Sequence, residues 1–72
     1  MKLNDLSRTE IHHLIDEYIH NEYHRAILKR RLTDGITYEK LAEEFDMSVG
    51  QIKNIVYKSQ DRLMRMVNHG KF

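Results

Sequence analysis

Apolar residues in this chain recur at intervals of three and four, in four blocks separated by residues that favour helix ends. The first block is Ile11, Leu14, Ile15, Tyr18 and Ile19, which makes one stripe on a helix of 3.6 residues per turn. Ser7 and Glu10 stand before it at the spacing of a capping box, where each side chain satisfies an N–H left unpaired at the helix start. Asn21 predicts the cap of a second helix, with Glu22 at its positive end. That helix carries a thinner stripe of Ile27, Leu28 and Leu32, and the aliphatic stem of Arg31 covers part of the same face. Asp34-Gly35 ends it, because glycine accepts the left-handed backbone of a C-cap. Thr37 predicts the cap of a short third helix bearing Tyr38, Leu41, Ala42 and Phe45. Asp46-Met47-Ser48 then breaks the pattern, and Ser48 with Gln51 forms a second capping box that opens a long last helix. Along it Ile52, Ile55, Val56, Ser59, Leu63, Met66 and Val67 fall within about 120° of arc at ~100° per residue. Gly50, Asn54, Tyr57 and Asp61 lie opposite, flanked by Lys53, Lys58 and Arg65. The helix is expected to fray near His69-Gly70. The fold class predicted is all-α: a small four-helix domain over residues 1–72, with a helix-turn-helix at 37–58.

Composition narrows this further. At 72 residues the chain is one domain at most, and chains of this size bury only about 60% of the surface their unfolded form exposes. With no cysteine there is no disulfide or thiolate zinc site to staple the core, and with no proline and three glycines little interrupts helices. No apolar run approaches the ~18 residues of a membrane span. MKLNDLSRTE has no hydrophobic region and does not read as a secretory signal. The expected location is therefore the cytoplasm. A cleft between lobes is hard to build in so short a chain, so a binding module is expected, not an enzyme.

The net charge of +1 is informative only when divided along the chain. Residues 1–23 hold two basic and five acidic residues, and residues 24–33 hold four basic and none acidic. Residues 34–46 reverse this with one basic and five acidic, and residues 47–72 hold five basic and one acidic. A basic last helix beside acidic neighbours is the distribution expected when one element meets phosphate and the others do not.

The third and fourth helices satisfy the steric demands of a helix-turn-helix. The first helix must be small where the two touch, which Ala42 provides between Leu41 and Phe45. The turn needs a residue tolerant of positive φ, and Asp46 is an acceptable substitute for the commoner glycine. Met47 should point inward, Ser48 caps the second helix, and Ile52 and Ile55 lock it onto the first. On the polar face, Gln51 and Asn54 offer paired amide donors and acceptors suited to adenine in the major groove. Lys53 reaches guanine or phosphate, whereas Lys58, Arg62 and Arg65 read as backbone contacts. Tyr57 stacks on sugar or donates to phosphate. Gly50 lets the helix approach closely, at a cost of about 0.5–1 kcal/mol in helix stability relative to Ala. The alternative reading of the same stripe is the solvated face of an amphipathic helix.

The segment ITYEKLAEEFDMSVGQIKNIVYKSQDRL resembles the DNA-binding fourth region of bacterial sigma factors, above all the small extracytoplasmic-function type. Tyr38-Glu39, Leu41-Ala42-Glu43, Ser48-Val49-Gly50 and Ile52-Lys53 carry the likeness, with the spacing to Arg62-Leu63. The preceding ILKRRLTDG is similar to that region's lead-in helix and turn. The likeness covers roughly residues 22–65 and extends to small phage and prophage regulators. It implies that Gln51, Lys53 and Asn54 approach base edges, that Ser48, Val49 and Gly50 lie at the DNA interface, and that Thr37 and Tyr38 lie near phosphate. A sigma factor's promoter-melting, core-binding region has no counterpart here, so the resemblance implies a regulator of transcription that binds double-stranded DNA, not an initiating factor.

Other readings carry less. His13, Glu17, His20 and His24 would share a face for a metal only if the first two helices were continuous, and Asn21 is expected to interrupt them. Tyr23 and Tyr38 read as core edges, and Glu39, Glu43 and Glu44 as solvent-exposed. No cofactor is expected. A single small reading head makes few contacts, so a homodimer or RNA polymerase is expected as a second anchor. The first stripe completes the core in preference to forming a dimer surface. The competing function is a module docking on RNA polymerase or a sigma factor through the acidic third helix. A phage packaging adaptor is a third.

Overall fold

The computed structural model describes residues 6–68 and is all-helical among them: α1 (Arg8–Tyr18), α2 (Glu22–Asp34), α3 (Tyr38–Phe45) and α4 (Val49–Asn68). Each helix starts where a side chain satisfies its orphan N–H groups. The Ser7 hydroxyl accepts from the Glu10 N–H, while the Glu10 carboxylate accepts from the Ser7 N–H at 3.0 Å. That bond to the Ser7 backbone holds the Glu10 carboxyl below the usual range. Asn21 Oδ1 accepts from the N–H groups of Tyr23 and His24, so α1 and α2 are two helices. Thr37 and Ser48 cap α3 and α4 in the same manner. Two helix ends take left-handed backbone, Gly35 at φ 65° and Asp46 at φ 55°.

The core is built from all four helices. Ile11, Leu14, Ile15 and Ile19 meet Ile27 and Leu28 of α2, Leu41 and Ala42 of α3, and Ile52, Val56 and Leu63 of α4. The α1 stripe is therefore interior, as expected from its spacing. α2 packs on α1, α3 and α4, while α3 packs on α4 and α1 reaches α4 as well. At 1.5 Å per residue the 20-residue α4 spans about 30 Å, most of the molecule's 35 Å length. Among the described residues no buried side-chain polar atom lacks a partner.

Two details depart from the sequence reading. Tyr23 is no core edge, being 64% exposed. It follows the cap at Asn21 directly, in the first turn of α2. Tyr38 does stand at the core edge, half-buried. Met64, outside the expected stripe, joins the partly buried residues around the core. The side chain of Val67 and the expected fraying at His69-Gly70 fall outside what the structure describes.

Candidate nucleic-acid interface

The connection between α3 and α4 is three residues long, and its shape follows from three local choices. Asp46 turns the chain with a left-handed backbone, while its N–H still bonds the Ala42 carbonyl. The Met47 N–H bonds that same carbonyl at 2.9 Å, and the Met47 side chain tucks against the core. Ser48 then starts α4 with a complete capping box: its N–H donates to Gln51 Oε1 at 2.9 Å and its Oγ accepts from the Gln51 N–H at 3.1 Å. Ile52 is fully buried and Ile55 half-buried, so the start of α4 is held by its inner face. These features are compatible with a helix-turn-helix.

The outer face of α4 carries Gly50, Gln51, Lys53, Asn54, Tyr57 and Lys58, all exposed. Residues 49 to 60 contain no acidic side chain. Asn54 and Lys58 make no hydrogen bond or ion pair within the described chain, so both amide atoms of Asn54 are available. Gln51 is different, because its oxygen is held by the cap and only its Nε2 donors remain for an outside partner. The capping box and the bidentate amide contact, both expected of Gln51, compete for the same atom.

Tyr38 organises one flank. The Arg31 guanidinium lies 4.2 Å from its ring centroid and Lys53 Nζ 5.7 Å away, while the Tyr57 ring meets it edge-on at 6.2 Å. The neighbouring Tyr38 hydroxyl pushes the Tyr57 phenol above its ordinary value. Arg31 is also fastened by Nη1 to the Ile36 carbonyl at 2.9 Å. Lys53 and Tyr57 are thereby held on the α3 side of the face, next to the capped start of α3 at Thr37.

Other residues expected here have structural duties. Val49 is half-buried and packs against the core, because the first turn of α4 leans on the bundle. Arg62 donates through Nε to the Tyr18 carbonyl at 3.0 Å, tying α4 to the end of α1. Helical arithmetic hinted at this, since Arg62 lies only ~20° from Ile55 around α4, beside the apolar stripe. Arg65 pairs with Asp61 one turn away. Elsewhere Arg8, Lys29 and Arg30 are paired with Asp34, Asp16 and Glu44. Arg25 donates to the carbonyls of Ile19 and Asp16. The basic charge of residues 24–33 is thus largely absorbed inside the fold, whereas that of Lys53 and Lys58 is presented outward.

One residue of the surface carried no sequence signal. His24, in the first turn of α2, lines an open groove with Gln51, Asn54 and Lys58. Its contribution depends on how α2 crosses α4, which no local pattern states. For metals, among the described residues no group of three or more His, Asp or Glu is placed to hold an ion. Among the described residues no helix is long and apolar enough to cross a membrane. Comparison with protein-family models, with curated proteins and with solved structures finds no match.

Proposed function

We propose that this chain binds double-stranded DNA sequence-specifically through α3, the three-residue turn and α4, and that it regulates transcription from the cytoplasm of a bacterium or phage host. The observation that carries the reading is the outward face at the start of α4. It joins two unpaired lysine charges, a free amide and a held tyrosine on twelve residues without a carboxylate. Amides specify bases and lysines position the backbone. The likeness to sigma region four supports the same arrangement, with Asn54 as principal base reader and Gln51 as a donor only. The chain is on this reading a binding module and not an enzyme. A second copy or RNA polymerase supplies the second anchor that one small head needs.

A second reading has an observation of its own. Glu39 and Glu43 are exposed on α3 with no ion pair among the described residues, which suits docking onto a basic surface of polymerase or a sigma factor. Selection from a randomised duplex pool separates the two. Enrichment of one sequence supports DNA reading; recovery of no duplex, with capture by polymerase, supports docking.

A further inference from the structure

Two open grooves meet on the side of α4 that faces the start of α2. The first, of about 360 Å³, is bounded by Gln51 and Asn54 at one end and by His24 and Lys58 at the other. The second, of about 480 Å³, continues from His24 and Lys58 to His20, Asp61, Arg62 and Arg65. His24, Lys58 and Ser59 line both, so the two form one channel running from the base-facing amides along the flank of α4. Among the described lining residues Asp61 is the one carboxylate, and Arg65 neutralises it. Arg62 keeps its terminal nitrogens beyond the Nε that holds Tyr18. The N–H groups of Tyr23 and His24 are already taken by Asn21, so the channel's attraction for anions comes from side chains.

We propose that this channel seats the phosphodiester backbone of the strand whose bases α4 reads, with His24 as a contact made by its protonated ring. The proposal rests on the DNA reading above. A strand addressed by Asn54 runs directly into the channel, because Lys58 stands four residues beyond it, about 6 Å along α4. Charge and continuity therefore favour the same occupant.

The histidine gives this contact a signature. A histidine side chain gains its charge between pH 8 and about pH 5. Facing His24 in the lining are Lys58 and Arg62 of α4, the mutually neutralising pair Arg65 and Asp61, and the ring of His20. Tyr18 of α1, Met47 of the α3–α4 turn and Asn21 of its own helix bring no charge to the lining. A phosphate seated among these groups attracts a proton on His24, so binding takes up a proton and tightens as pH falls.

The test uses the full chain and a mixed-sequence duplex, with affinity measured across salt at about pH 5.5 and about pH 8. Wild type is expected to bind about three- to tenfold tighter at the lower pH, with a log–log salt slope steeper by up to ~0.9 for one added contact. His24→Gln should lose most of that response. His13→Gln, on the exposed side of α1, should keep it. The His24 ring, titrated by NMR in the wild-type chain, should hold its proton to higher pH with duplex than without. A full pH response in His24→Gln, or identical titrations free and bound, overturns the proposal. Salt-sensitive binding without any pH response removes the channel assignment alone. Absence of duplex binding under every condition removes the DNA reading with it.

Discussion

Replacing Gly50 by alanine should raise stability and lower duplex affinity, and the opposite signs come from separate parts of the structure. A Cβ added at Gly50 meets nothing nearer than the Ser48 hydroxyl at 3.9 Å, an ordinary contact. Gly50 has a helical backbone at the second position of α4, outside the left-handed region. The fold thus gives no reason for glycine there. Alanine is favoured over glycine by up to about 1 kcal/mol inside a helix, and half that is a fair allowance so near the end. About 0.5 kcal/mol corresponds to a rise of roughly 2–4 °C in Tm for a domain of this size. If α4 enters a groove with Gly50 against the DNA, the added methyl forces the helix outward. The contacts of Asn54 and Lys53 then lengthen together. Losing about 1.4 kcal/mol among them weakens binding tenfold. Thermal denaturation followed by circular dichroism and titration of a fluorescent duplex give the two values from one preparation. A higher Tm with unchanged affinity would show that Gly50 faces solvent in the complex and that α4 is docked wrongly. A lower Tm would refute the reading of the free fold.

Three further substitutions divide reading, holding and folding. Asn54→Ala should leave Tm unchanged and flatten base preference in a randomised-duplex selection, and a preserved preference would move the reading role elsewhere. Arg62→Ala should lower Tm, because an exposed charge-assisted bond to Tyr18 is worth about 0.5–1 kcal/mol, or roughly 2–8 °C; Lys58→Ala should leave Tm alone and weaken every duplex similarly. Equal effects of the two on Tm would contradict their assignment to different duties. The Lys29 ammonium, hydrogen-bonded to Asp16 at 2.7 Å, holds the Asp16 carboxyl below the usual range. Its contribution is present above the unfolded carboxyl's titration and lost as pH falls through the folded one. Asp16→Asn should therefore cost about 0.2–1 kcal/mol at neutral pH, as for exposed pairs, and progressively less as pH falls through the folded carboxyl's titration; a deficit that does not shrink in acid would assign the loss to packing.

How far the fold could be read in advance depended on the range of each interaction. Ser7, Asn21, Gly35, Thr37, Asp46 and Ser48 end or start helices through atoms two to five residues away, so the sequence places them directly. The α1 stripe was legible for the same reason, since five apolar residues at one period have to find a core. What escaped depends on how helices cross. Arg62 reaches Tyr18 across 44 positions, and its position beside Ile55 was a clue that the larger pattern of basic residues obscured. Arg31 was expected to lend only its aliphatic stem, yet its guanidinium sits on Tyr38. Tyr23 looked apolar in a list but is exposed at the start of α2. In the candidate site, Asn54 and Lys58 followed from periodicity alone, while His24 joined them only through the packing of α2 on α4. Gln51 was legible twice, as cap and as reader, and geometry favours the cap.

The central claim is that the start of α4 meets DNA phosphates as well as bases, and the salt dependence of duplex binding measures this most directly. With Lys53, Lys58 and one arginine on the backbone, log Kd against log salt should have a slope of about 2–3, at ~0.9 per phosphate contact. Lys58→Ala should reduce it by about 0.9. A duplex affinity that ignores salt, or a slope that survives loss of Lys58 intact, would contradict the account.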